Sequence, residues 1–122
     1  MVDKLKNYLY TYRKRSGLTQ KDVAYLLGHY DGTQVSRHER SRQTPTLITA
    51  LAYQVIFDIP VQKLLPGLYR EVEAVINQRA GLLSKELKAD VSDRRARRKL
   101  TVLKMIQMQK GGNDENEYEV IH

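Results

Sequence analysis

The stretch Leu18 to Arg42, LTQKDVAYLLGHYDGTQVSRHERSR, carries two helix-start signals with a glycine stop between them. Thr19 is placed to accept from a free N–H of the first turn, Asp22 follows three residues on as its return partner, and Leu18 can clamp Val23 across that box. Gly28 supplies the left-handed turn that ends the helix. The pattern then repeats: Asp31 as cap, Gln34 three residues on, and Tyr30 with Val35 at the staple positions predict a second helix from Gly32 to about Arg40. Val23, Ala24, Leu26 and Leu27 form the inner face of the first helix, and Val35 and His38 that of the second. Gly32, Thr33, Ser36 and Arg37 then face solvent, with Gln34 at the border.

An exposed helix face of small, polar and basic residues suits the edges of base pairs. Arg can grip guanine with two hydrogen bonds, Gln can grip adenine, and the methyl of Thr can meet that of thymine. Charge points the same way. All 21 Lys and Arg lie before residue 111 and four of the 14 acids after it, so residues 1–110 carry +11, a field that attracts nucleic acid or an anionic membrane surface.

The rest of the chain reads as helix. Leu5, Tyr8, Leu9 and Tyr12 line one face from Lys4 to Ser16, ended by Gly17. This is a packing helix, with phosphate contact by Arg13 or Lys14 as the alternative. Thr44 and Pro45 start a fourth helix whose Leu47, Ile48, Ala50, Leu51, Ala52 and Val55 read as core, and Pro60 opens a short fifth through Leu65. Pro66 and Gly67 mark a break. Beyond it Leu68, Val72, Val75 or Ile76, Arg79 or Ala80, Leu83 and Leu87 form one long apolar stripe, which needs a partner, either the first domain or another copy of the chain. Ser92 and Asp93 start a last helix with Ala96, Leu100, Leu103 and Ile106 on one face. Beside it, Arg94, Arg95, Arg97, Arg98 and Lys99 are either a solvated face or additional DNA contacts. The acidic segment after Gly111 and Gly112 is expected to be disordered.

TQKDVAYLLG, TQVSRHER and RQTPTLITALA resemble the Cro and phage-repressor (Xre-like) class of helix-turn-helix transcriptional regulators, over about Leu5 to Leu65. The resemblance implies a five-helix lambda-repressor-like DNA-binding domain at 1–66; with the one long and one shorter C-terminal helix that periodicity predicts at 67–110, and the acidic tail at 111–122, the chain is expected to be all-α. It implies phosphate contacts by Gln20, Arg40 and Arg42, and base contacts by Gly32, Thr33, Gln34 and Arg37. Ser36, on the same exposed face, and Arg13 are further phosphate candidates. The chain departs from the family pattern in a turn one residue longer, in Gly32 where a base-reading side chain is common, and in Ser41 where Gly is usual, which shifts the reading onto Thr33, Gln34 and Arg37. His38 is expected in the core and Glu39 to tie the recognition helix to a nearby Arg.

The absence of cysteine excludes a disulfide framework and thiolate zinc sites, and suits a reducing cytoplasm. No apolar run is long enough for a membrane span. His29, His38 and His122 lack metal-binding spacing, and no nucleophile, base and orienting partner come together, so neither an enzyme nor a cofactor is expected. The expected function is sequence-specific binding of double-stranded DNA as a repressor, with homodimerisation through the C-terminal helices. Its rivals are an antitoxin-like protein that neutralises a protein partner, and a basic protein-interaction or RNA-binding module without base reading.

Overall fold

The computed structural model describes residues 6–87 and 93–109, and over these the chain is all-helical. Seven helices follow in order: α1 (Leu9–Ser16), α2 (Gln20–Leu27), α3 (Thr33–Glu39), α4 (Leu47–Phe57), α5 (Val61–Leu64), α6 (Pro66–Leu87) and α7 (Arg94–Met108). The described residues fall into two compact units, one up to Tyr69 and one from Arg70. The division lies inside α6 and not at Pro66–Gly67, because Pro66 is the first residue of α6, where its missing N–H costs nothing. Lys4, Leu5, Ser92 and the acidic tail lie outside the described residues.

In the first unit, Leu9, Tyr12, Val23, Ala24, Val35, Ala50, Tyr53, Leu64 and Leu65 form one core. α1 begins at Leu9, later than its apolar spacing predicts, because the Asn7 side chain accepts from the Leu9 N–H at 3.0 Å and fixes the start there. The segment ahead of it is tied down by Tyr8 N–H to the Leu64 carbonyl (2.8 Å) and Gly67 N–H to the Lys6 carbonyl (3.0 Å). α2 has the expected box: Thr19 Oγ1 accepts from Asp22 N–H and Asp22 Oδ2 from Thr19 N–H, both at 3.0 Å. Those bonds hold the Asp22 carboxyl below its ordinary pKa. Gly28 at φ +79° closes the helix while His29 N–H returns to the Ala24 carbonyl at 2.8 Å.

The second start signal is built differently from the expectation. Gly32, not Asp31, is the N-cap, and Asp31 Oδ1 accepts from Thr33 N–H at 2.9 Å from one position further out. Tyr30 is thereby moved off the staple position and is fully exposed, while Val35 is completely buried without it. Gly32 sits against α2: a Cβ there would come 3.2 Å from Gln20 Cβ, so the small residue serves the approach of the two helices.

α4 also departs from expectation. Thr46, not Thr44, caps it, accepting from Thr49 N–H at 3.2 Å, and Pro45 precedes the helix. Only Ala50 and Tyr53 are buried, with Phe57 stacked on Tyr53 at 6.2 Å, so one narrow face at i, i+3 and i+7 meets the core. Leu47 (75%), Ile48 (80%) and Val55 (80%), expected in the core, stand exposed on the other side, and Leu51 is half exposed. A helix apolar all round can bury only the face its neighbours reach.

In the second unit α6 and α7 run antiparallel: Asn77 Nδ2 donates to the Gln107 carbonyl at 3.4 Å, and Gly81 lies against the Gln107 side chain. Asp93 caps α7, accepting from Arg95 N–H at 3.1 Å. Ala96 and Leu103 are buried with Leu100 and Ile106 partly so, as the α7 stripe predicts. On α6, Ala80 and Ser84 are buried, whereas Val72, Val75, Ile76 and Leu83 of the long stripe are exposed.

Candidate nucleic-acid interface

Helical geometry puts Thr33, Ser36, Arg37 and Arg40 on one side of α3 and its C-cap, and the structure gathers them with Gln20, Gly32 and Arg42 around one open concavity. Three arginines and no acid line it. Gln34, a turn position away, is exposed but lies outside this concavity, so the expected reading residues share it only in part. Ser36 Oγ accepts from Arg40 Nη2 at 2.6 Å and Nε at 3.2 Å, which fixes the guanidinium beside the hydroxyl. The hydroxyl proton stays available, so Ser36 and Arg40 together present donors to one anionic oxygen. Thr33 and Arg37 are exposed, and no hydrogen bond holds the Arg37 guanidinium among the described residues. Asp31, at the tip, has its carboxyl held below the ordinary range by the Thr33 N–H.

Behind the concavity lies a buried polar junction. Glu39 takes the Arg13 guanidinium as a two-bond fork, through Nε and through Nη2 (3.2 Å), with side chains only 9% and 4% exposed. Arg13 Nη1 also donates to the Leu18 carbonyl at 3.1 Å, and Gln20 Nε2 to Glu39 Oε1 at 3.0 Å. The junction thus joins α1, the entry to α2 and the end of α3. The hydrogen bond to Glu39 raises the Arg13 pKa further. Arg13, expected as a phosphate candidate, is instead buried with its guanidinium turned inward on Glu39 and the Leu18 carbonyl. Gln20 has one amide nitrogen engaged by Glu39, and that nitrogen's second hydrogen remains for a phosphate at the rim of the concavity.

Two residues that hold the reading helix were not anticipated. Asn7 Nδ2 donates to the His38 carbonyl (3.2 Å), the Glu39 carbonyl (3.3 Å) and Ser41 Oγ (2.8 Å), satisfying carbonyls at the open end of α3. Ser41, buried at φ +57°, makes the left-handed turn there. The second is Tyr53, whose hydroxyl lies 2.8 Å from His38 Nδ1 in a T-shaped ring contact. Asn7 is more than thirty residues from its partners, beyond any local pattern. Tyr53 could have been found as the i+3 partner of Ala50 that a buried His38 requires.

His38 is 2% exposed, and burial, then the charge of His29, pushes its pKa below 6.5. Burial likewise pushes the Tyr53 phenol well above its usual value, so it stays protonated. The unfolded chain then takes up the proton first as pH falls below 6.5, and folding stability falls with it. The thermal midpoint is expected to drop between about pH 7 and pH 5, and His38→Gln, which can still bond Tyr53, to flatten that drop. An unchanged slope in His38→Gln would assign the loss to other groups.

In the second unit Arg94, Arg95, Arg97 and Arg98 are all exposed on α7. Among the described residues there is no group of three or more His, Cys, Asp or Glu able to hold a metal, and no helix long and apolar enough to cross a membrane. Comparison with protein families, curated proteins and solved structures gives no match.

Proposed function

We propose that this chain is a sequence-specific regulator that binds double-stranded DNA, with α3 in the major groove and α1 to α5 acting as a helix-turn-helix domain of the lambda-repressor type. One observation carries the proposal: an exposed, acid-free concavity formed by Gln20, Gly32, Thr33, Ser36, Arg37, Arg40 and Arg42, set on a helix whose far side is locked into the core. A polyanion is the ligand such a surface attracts, and Thr33 and Arg37 are residue types that discriminate bases. Repression by occluding a promoter is the regulatory outcome we favour.

Pairing of two copies is assigned to the C-terminal helices, where Val72, Val75 and Ile76 of α6 are exposed at i, i+3 and i+4. A symmetric dimer would meet half-sites ~34 Å apart on a near-palindromic operator. Selection from random duplexes tests both statements: enrichment of a two-part site supports them, and equal binding to all duplexes at moderate salt removes the specific-regulator reading. The exposed ridge of Leu47, Ile48, Leu51 and Val55 favours, as second reading, a DNA-binding protein that also neutralises a protein partner in the manner of an antitoxin. A tight complex with a co-expressed neighbouring gene product, lost in Ile48→Lys, would favour it.

A further inference from the structure

One carboxylate stands at the edge of the acid-free concavity, where phosphate binding gives no reason for a negative charge. Asp31 is the only acid between Val23 and His38, it is exposed, and it directly precedes Gly32 and Thr33, which line the concavity. Its Oδ1 accepts from the Thr33 N–H at 2.9 Å, which fixes the side chain against the first turn of α3. An Asn side chain accepts from such a turn N–H as well, so the local bond does not require the charge. The bond from the Thr33 N–H, and then one from the Thr33 side chain, hold the carboxyl below its ordinary pKa and keep it ionised at neutral pH. A duplex lying in the concavity sets its phosphates near this charge whatever its sequence. Only a base that presents a hydrogen-bond donor offsets the repulsion.

We propose that Asp31 is a specificity-determining residue that accepts from the exocyclic amino group of a cytosine in the major groove. It rests on α3 being the DNA-reading helix. Of the major-groove edges, only those of cytosine and adenine carry a donor, while guanine and thymine turn acceptors toward a carboxylate. Adenine sets a ring-nitrogen acceptor beside its amino group, which repels a carboxylate, so cytosine is the better fit. Discrimination then works by penalty: a duplex without that cytosine keeps an uncompensated negative charge against its phosphates. Arg37, further along α3 and carrying only donors, selects the opposite kind of edge.

Asp31→Asn tests this, because its amide oxygen still serves the Thr33 N–H while its amide nitrogen turns a donor toward the base. Selection from random duplexes is run for the unchanged chain and for the variant. Both are then titrated on the selected site and on the same site with a pyrimidinone, which lacks the amino group, in place of the cytosine. The unchanged chain is expected to require cytosine at one position and to lose about fivefold or more on the pyrimidinone duplex. Asp31→Asn is expected to bind random duplex more tightly at about 0.05 M salt, and to prefer guanine or thymine at that position. The same base profile for both chains overturns the proposal and leaves α3 as a reader. So does a variant that weakens all duplexes alike with a lowered thermal midpoint, since Asp31 would then only brace the turn. No enriched site for the unchanged chain overturns the reading by α3 and this proposal with it.

Discussion

Glu39→Ala is expected to lose about 3–5 kcal/mol of folding stability, because it leaves the Arg13 guanidinium buried with its fork partner gone. For a unit of this size that lowers the thermal midpoint by well over 10 °C, at about 4–8 °C per kcal/mol. The charge is not screened away, since both side chains are almost wholly out of solvent. The complementary double variant Arg13→Met, Glu39→Leu is expected to lose less than Glu39→Ala alone, since it removes both charges and fills the space with apolar groups. Its residual loss comes from Gln20 and the Leu18 carbonyl, each deprived of a partner. Urea denaturation of the unchanged chain, Arg13→Met, Glu39→Leu and the double variant as a cycle measures the coupling, with Glu39→Ala measured beside it. A loss under about 1 kcal/mol for Glu39→Ala would mean that the pair behaves as a surface ion pair, and the junction would no longer explain how α3 is held.

The order in which the chain's features became legible follows the range of the interactions behind them. Thr19, Asp22, Gly17 and Gly28 act on groups within a few residues, so the sequence displays their roles and the structure repeats them. Val35 and His38 were readable because a helix face is a local property. α3 starts one residue later than its sequence predicts because Asp31 and Gly32 can each serve as a cap. The choice was made by α2, whose Gln20 lies against Gly32. α4 departs from its sequence pattern for a different reason. Its apolar residues surround the helix, so periodicity selects no face, and only the partners of Ala50 and Tyr53 in the folded unit decide which is buried. Arg13 illustrates the limit for the site itself. A basic residue on an otherwise polar face reads as a phosphate contact until Glu39, twenty-six residues away, turns it inward. Asn7 shows the same limit for a residue with no local signal at all.

Arg37→Ala and Arg40→Ala are expected to separate the two kinds of contact the concavity can make. Arg37 is exposed and its guanidinium makes no hydrogen bond among the described residues, so it can adjust to a base edge, whereas Arg40 is fixed by Ser36 at the end of the helix in an orientation suited to a phosphate. Arg37→Ala should cost ~1–3 kcal/mol on the preferred site and little on random duplex, with discrimination lost at a single base pair of each half-site. Arg40→Ala should weaken all sequences by a similar factor and lower the slope of log K against log salt by about 1, as removal of one phosphate contact requires. Ser36→Ala should move in the same direction as Arg40→Ala but less far, because the guanidinium keeps its charge while it loses its anchor and the phosphate loses one neutral hydroxyl donor. Binding isotherms on the preferred and random duplexes across a salt series distinguish these outcomes. If Arg37→Ala weakens both duplexes equally and lowers the salt slope, Arg37 contacts phosphate. Thr33 would then be the remaining base-reading side chain in the concavity, and the specificity available to it, a methyl contact and one hydroxyl, would be far narrower.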